Sequence, residues 1–240
     1  MTQPFRQAVS RYRSPLLPEL LVQYEADRIL IHSNAVHDVL SNAPCNGGWA
    51  RANRFVNWKV PLSYDCTDPE SMMLTELEKW GYDRAATVGL QTAAHLTHAS
   101  FAEEAGDEFK LLACATAGTG NAARAGLARE TFSAYEPGTV NIIVLIDGKM
   151  TPSAMVNAVI SATEAKSAAF ADLQIKDCRH DRIATGTSTD AALIAASQSS
   201  AYGPVHRYAG AATTIGNAIG RLVYDTVHEA VRTQGEARFG

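Results

Sequence analysis

The chain has 240 residues, 46% of them hydrophobic and 19% charged, which suits a globular protein with a sizeable core. Its 21 basic and 25 acidic residues leave a net charge of −4 without a run of either sign, which excludes the electrostatic footprint of a nucleic-acid or anionic-membrane binder. No apolar run reaches the roughly 18 residues of a membrane span and the opening segment has no signal-peptide core, so a soluble cytoplasmic protein is expected.

Taken in chain order, residues 1–25 carry Pro4, Pro15 and Pro18 with little periodicity, and read as an irregular or partly helical lead-in to a single domain over 26–240. Residues 28–32 (RILIH) read as a short strand. Asn46, Gly47 and Gly48 then make a turn, either plain hairpin chemistry or a loop whose backbone amides can approach a ligand. Residues 54–60 alternate as a half-buried strand does, with Phe55, Asn57 and Lys59 against Val56, Trp58 and Val60. Asp68 and Pro69 open an amphipathic helix over 68–80 carrying Met72, Met73, Leu77 and Trp80, and Gly81 ends it. A buried strand is expected over 85–94. The two histidines that follow, His95 and His98, have no acid at a metal-motif spacing, so hydrogen-bonded or solvated rings are the expectation.

Residues 109–117 (FKLLACATA) read as an apolar strand running into GTGNAA, a weak match to the start of a dinucleotide fingerprint because no strand ending in an acid follows at the ribose-binding distance. Residues 140–146 (VNIIVLI) form an uninterrupted apolar run, the mark of a strand covered on both faces. Thr151 caps and Pro152 opens a helix over 152–173, with Met155, Val159, Thr163, Phe170 and Leu173 as its apolar stripe, widened by Val156. Lys166 falls inside that stripe. It either snorkels to water or is a partly buried cation able to steady an anionic oxygen. Glu164 flanks the stripe and does not pair with Lys166. Cys45, Cys66, Cys114 and Cys178 are scattered, without a C-x-x-C pair, and read as buried or incidental thiols.

The stretch 182–231 stands apart. Strand-like residues 183–187 and 191–196 are separated by Ser188, Thr189 and Asp190, and a core segment would not carry so many groups that need partners. A loop with His206 leads to a helix that starts from Thr213 or Thr214 and runs to about Arg232. On that helix Gly216 and Gly220 sit on or beside the inward face, where they let a strand or a flat ligand come close.

Five stretches in order, the NGG at 46–48 with Asn53 onward, ATAGTGNA at 115–122, NIIVLIDG with the following Ala162 to Lys166 (ATEAK), GTSTDA at 186–191, and YAGAATTIGNAIGR at 208–221, resemble the adenosylcobinamide amidohydrolase (CbiZ) family over about residues 28–232. The resemblance implies an enzyme of cobamide salvage. It would cleave the amide joining the corrin side chain to aminopropanol, giving adenosylcobyric acid, and some members are also expected to act on complete cobamides. It implies a corrinoid small-molecule substrate whose cobalt belongs to the substrate, so no separate cofactor is expected; no metal-ligand cluster of the usual spacing is present and a metal requirement is left open, while the charge pattern speaks against a nucleic-acid or membrane partner. The oligomeric state, a homo-oligomer included, is left open.

Amide hydrolysis needs a nucleophile, a base and donors for the oxyanion. With no Gly-x-Ser-x-Gly elbow, two arrangements remain. In the preferred one Asp190 or Glu164 is the base for a water, with Lys166 and turn amides holding the oxyanion. In the other Thr187 or Ser188 attacks directly, assisted by Lys166 or His206. Substrate contacts are expected from Asn46, Gly47, Gly48, Asn53, Thr116, Asn121, His206, Tyr208, Thr213 and Thr214. A non-catalytic corrinoid carrier and a nucleotide-dependent oxidoreductase using the GTGNAA turn are the competing functions. For the fold, the strands do not alternate regularly with helices. That implies one α+β domain in which a mixed, largely antiparallel sheet of six or more strands is packed by the helices near 152–173 and 213–232.

Overall fold

The computed structural model describes residues 3–61, 67–129 and 138–237, and is α+β. Its strands are β1 (Arg11–Tyr12), β2 (Leu20–Glu25), β3 (Arg28–Ser41), β4 (Gly48–Lys59), β5 (Thr87–Thr92), β6 (Ser100–Gly106), β7 (Phe109–Gly118), β8 (Ala122–Ala123), β9 (Thr139–Gly148), β10 (Gly186–Thr187) and β11 (Ala191–Ala196). The helices are α1 (Pro69–Lys79), α2 (Pro152–Asp172) and α3 (Thr214–Thr233). Each starts as its sequence dictates: Asp68, Thr151 and Thr213 accept from the amides of Ser71, Ala154 and Gly216, and prolines open α1 and α2.

Nine strands form one sheet in the order β1-β2-β3-β11-β9-β7-β6, with β4 on the other edge of β3 and β5 beyond it. Strand β3 makes this branching possible. It pairs with β4 along most of its length, leaving its opposite edge to β2 at residues 28–33 and to β11 at 38–41. The pairing is antiparallel except for β9–β11 and β4–β5. A short β8–β10 ladder lies apart.

Strands β7, β9 and β11 are buried on both faces. Val140, Ile142, Val144 and Ile146 of β9 face α2 and α3, whereas Ile143 and Leu145 face a second core with Phe55, Val88, Leu90 and Phe101. This is why residues 140–146 show no alternation. The second core is crossed by a line of buried polar groups: Asn141 Nδ2 donates to Asn57 Oδ1 (2.8 Å) and to Gln91 O (2.8 Å), and Asn57 Nδ2 donates to Thr116 Oγ1 (2.9 Å). These side chains satisfy one another, so the line joins β4, β7 and β9 without stranding a donor.

The structure corrects several expectations. The lead-in, expected to be irregular or partly helical, has a 3-10 helix at Pro4–Gln7 but also strand, because Leu20–Glu25 pairs with β3 while Phe5 and Leu17 enter the second core. Gln3 Nε2 donates to Thr233 Oγ1 (2.7 Å), and Arg6 pairs with Glu236, fastening this segment to the end of α3. Strand β3 extends past residue 32, through a register shift opposite Asn53. Residues 84–86 form a 3-10 turn before β5, and residues 183–185 are not regular strand. On α2 the buried residues are mainly alanines, including Ala154, Ala158, Ala162 and Ala169, while Val156 and Ile160 are 51% and 48% exposed and Thr163 is exposed. Small side chains let the helix lie close to its neighbours, which turns the bulkier branched residues outward. Cys45 and Cys114 are buried and Cys178 is exposed; Cys66 lies outside the described residues.

The two glycines of α3 differ. A Cβ on Gly216 would strike the carbonyls of Ala209 and Gly210, backbone atoms that cannot swing aside, while one on Gly220 would meet nothing. Gly216→Ala is expected to lower stability by about 1–3 kcal/mol through overpacking, and Gly220→Ala to raise it by about 1 kcal/mol through helix propensity. Urea midpoints of the two variants check both signs.

Candidate active site

Strand β9, helix α2 and strand β11 form a crossover between parallel neighbours, and the candidate site lies at the amino ends of those strands. Lys166, two-thirds of the way along α2, points under the helix, where it is 8% exposed and ion-paired with Asp190 Oδ2. Asp190 closes the turn before β11. Its Oδ1 accepts from Val140 N (3.0 Å) and from Thr187 Oγ1, and its Oδ2 from Thr187 N (3.0 Å) and Lys166 Nζ. These donors occupy the four lone-pair positions of a carboxylate. Gly186 is needed here for lack of a side chain, because a Cβ would collide with both Asp190 Oδ2 and Lys166 Nζ.

Around this centre, Thr139 Oγ1 lies 2.8 Å from Thr189 O, and Thr189 Oγ1 donates to Gly138 O (2.7 Å). Asn121 Nδ2 donates to Ser188 Oγ (2.9 Å); its Oδ1, buried against Gly138, has no donor among the described residues. Asn42 closes the other side. Its Nδ2 donates to Asp190 O (2.9 Å) and its Oδ1 accepts from Ala192 N (2.8 Å), so one side chain brackets the start of β11. Sequence reasoning missed Asn42 and Thr139. Neither stands in a local pattern that marks it, and both act through residues far along the chain.

Lys166 and Asp190 line an open cleft of about 490 Å³ whose other walls include Leu40, Asn42, Val156, Ile160 and Ile142. The exposed Val156 and Ile160 give it an apolar flank beside a charged end, the make-up of a small-molecule site.

Of the expected site residues, Lys166, Asp190, Thr187, Ser188 and Asn121 come together. Others do not join them. Glu164 is exposed in a separate groove between α2 and α3, with Gly216, Gly220 and Tyr224, because residues two apart on a helix diverge. Asn46 Nδ2 donates to Arg84 O and Thr87 O (2.7 Å each), and Gly47 packs on Ala43, so the NGG turn is tied to the segment leading into β5; Gly48 has positive φ and opens β4. Asn53 sits at the register shift of the β3–β4 ladder. Thr116 is buried and taken up by Asn57. His206 is held between Lys149 O (2.9 Å from its amide) and Glu108 O (3.3 Å from Nε2), with its ring edge-on to Phe109, so it is not poised on a free loop. Tyr208 is 66% exposed, Thr213 is the cap of α3, and Thr214 is exposed in its first turn. The GTGNAA turn runs into the two-residue β8 instead of a helix, so it lacks the amide cradle of a dinucleotide site. His98 is buried, its Nε2 3.0 Å from Glu236 O, and among the described residues no His, Cys, Asp and Glu cluster could hold a metal ion. No helix among them is long and apolar enough to cross a membrane.

Residues 17–238 match the family described as adenosylcobinamide amidohydrolase (CbiZ). The chain belongs to that family. An adenosylcobinamide amidohydrolase of Methanosarcina mazei is 30% identical over 80% of this chain and 88% of its own length. An uncharacterised protein of Methanocaldococcus jannaschii is 33% identical over 68% of this chain and 69% of its own. Among solved structures, a Burkholderia sp. beta-aminopeptidase superposes loosely, with a TM-score of 0.42 and 12% identity over 87% of this chain and 78% of that one. The PH0078 protein of Pyrococcus horikoshii gives a TM-score of 0.41 and 9% identity over 89% and 78%. Membership of the amidohydrolase family makes amide hydrolysis the chemistry the site has to explain.

The ion pair sets a stability asymmetry. Asp190→Ala leaves a buried ammonium and two backbone amides without an acceptor and is expected to cost about 3–5 kcal/mol. Lys166→Met leaves the carboxylate its remaining donors and should cost no more than about 1–2 kcal/mol. Equal losses in denaturant unfolding would mean that the pair does not carry this burial.

Proposed function

We propose that the chain hydrolyses the amide between aminopropanol and the corrin side chain of adenosylcobinamide, and of complete cobamides where their lower ligand fits, to give adenosylcobyric acid for cobamide salvage. The observation that carries this reading is the Lys166–Asp190 pair at the charged end of an apolar-flanked cleft, with the Thr187 hydroxyl donating to Asp190 to complete a line of three. The corrin edge would lie against Val156 and Ile160, with the amide carbonyl at Lys166.

The same line favours direct attack by Thr187 over a water activated by Asp190. With its lone pairs occupied, Asp190 has no position left for a water, whereas the Thr187 hydroxyl already donates to it. In the proposed reaction Thr187 Oγ1 adds to the amide carbon and its proton passes to Asp190. The charge that forms on the carbonyl oxygen is held by the Lys166 N–H groups not engaged with Asp190. Collapse breaks the C–N bond and Asp190 returns the proton to the departing nitrogen, releasing aminopropanol. Water then adds to the Thr187 ester, giving a proton to Asp190; cleavage of the ester C–O bond frees the carboxylic acid, and Thr187 takes the proton back.

Mass spectrometry of adenosylcobinamide incubated with the purified chain is expected to detect aminopropanol and adenosylcobyric acid, with turnover unchanged by a chelator. Thr187→Ala should lower kcat by at least about 10³-fold, while Thr187→Ser retains measurable turnover and an ester mass on the protein. If Thr187→Ala stays within about tenfold of native, a water is the nucleophile. Substrate that binds but returns intact would favour the carrier reading.

A further inference from the structure

A second cleft, of about 370 Å³, lies at the carboxyl ends of β9 and β11, the opposite end of the crossover from Lys166 and Asp190. In sheets with such crossovers the carboxyl ends of parallel strands are the usual place for small ligands. Here β9 ends in Asp147 and β11 leads into Ser197, while the displaced stretch of β3 around residues 33–36 brings His37 across from them.

The polar groups of this cleft are arranged in advance. Asp147 Oδ1 accepts from Ser197 Oγ (2.8 Å) and its Oδ2 from Tyr202 OH (2.8 Å). Ser197 Oγ in turn accepts from Gly148 N (3.1 Å) and Ser199 N (3.2 Å), which directs its one hydrogen to Asp147. Burial, and then the bond to Asp147, pushes the Tyr202 phenol up to about 12, so it stays a donor at neutral pH. His37 is 4% exposed and edge-on to Phe55. Its Nδ1 lies 3.0 Å from Ala35 O and therefore carries the hydrogen of the neutral ring, leaving Nε2 as an acceptor with no hydrogen-bond partner among the described residues. Burial lowers the pKa of this ring, which keeps it neutral. Glu19 stands exposed on the rim, and no described lining residue is Lys or Arg.

Apart from the hydroxyls of Ser33, Ser199 and Ser200, which can donate or accept, the unfilled valences are acceptors, and the fixed charge is negative. An anion would find no cation here. A molecule that brings its own positive charge and hydrogens would complete the site. We propose that this cleft binds a small primary ammonium bearing a hydroxyl group, with the ammonium between Asp147 and Glu19 and the hydroxyl donating to His37 Nε2.

Ethanolamine hydrochloride titrated into the full chain near neutral pH, with the His37 ring resonances followed by NMR, is the direct test. A saturable shift in the millimolar range is expected, with ethylene glycol and inorganic phosphate producing none. Asp147→Asn should weaken binding about tenfold. Glu19→Gln, an exposed change that leaves the fold alone, should weaken it about threefold. The proposal is overturned if ethanolamine gives no saturable shift, if ethylene glycol or phosphate titrates equally well, or if Glu19→Gln and a folded Asp147→Asn bind ethanolamine as the native chain does.

Discussion

An ammonium group under a helix has to be neutralised where it stands, and much of this architecture can be traced to how Lys166 is answered. Helix α2 presents alanines to its neighbours and so lies close to the sheet, which leaves Lys166 little route to water. Asp190 meets it only because the chain turns sharply before β11 and because Gly186 leaves the space between them open. The turn is then held from every side: by Val140 of β9, by Asn42 reaching over from the end of β3, and by Thr139, whose hydroxyl stands next to the polar line through Asn141, Asn57 and Thr116. A carboxylate fixed this firmly costs no reorganisation when charge develops beside it, which is what an electrostatic catalyst requires.

The parts of the fold legible in the sequence were those governed by short-range chemistry. The capping residues Asp68, Thr151 and Thr213 and the prolines behind the first two mark the helix starts, and the unbroken apolar run of β9 marks a strand with two buried faces. What could not be read depends on distant partners. The continuation of β3 past residue 32 rests on β4 and β11, and β2 is a strand because β3 accepts it. On α2, helical periodicity drew Val156 into the apolar stripe, but packing distance decided for alanine.

The site was legible to the same degree. Lys166 could be singled out as a charge within an apolar stripe, and Asp190 as an acid among hydroxyls between strand-like runs, and the structure brings them together. Asn46, Thr116 and His206 looked as available as Asn121 did, since a polar side chain in a quoted motif carries no sign of being already satisfied. Their partners are Arg84 and Thr87, Asn57, and Glu108, contacts that exist only after folding. Asn42 was invisible for the converse reason, its role being defined wholly by Asp190 and Ala192.

The fastening of residues 3–6 to residues 233–236 has a consequence for biosynthesis. Gln3 and Thr233 are 230 positions apart, so at roughly 5–20 residues per second the ribosome makes one about 12–46 seconds before the other. During that interval Phe5 and Leu17, destined for the second core, wait in a segment not yet fastened to residues 233–236. The nascent chain is therefore open to chaperones, or to aggregation, around residues 5–17. The clasp closes only once residues 233–236 have been made.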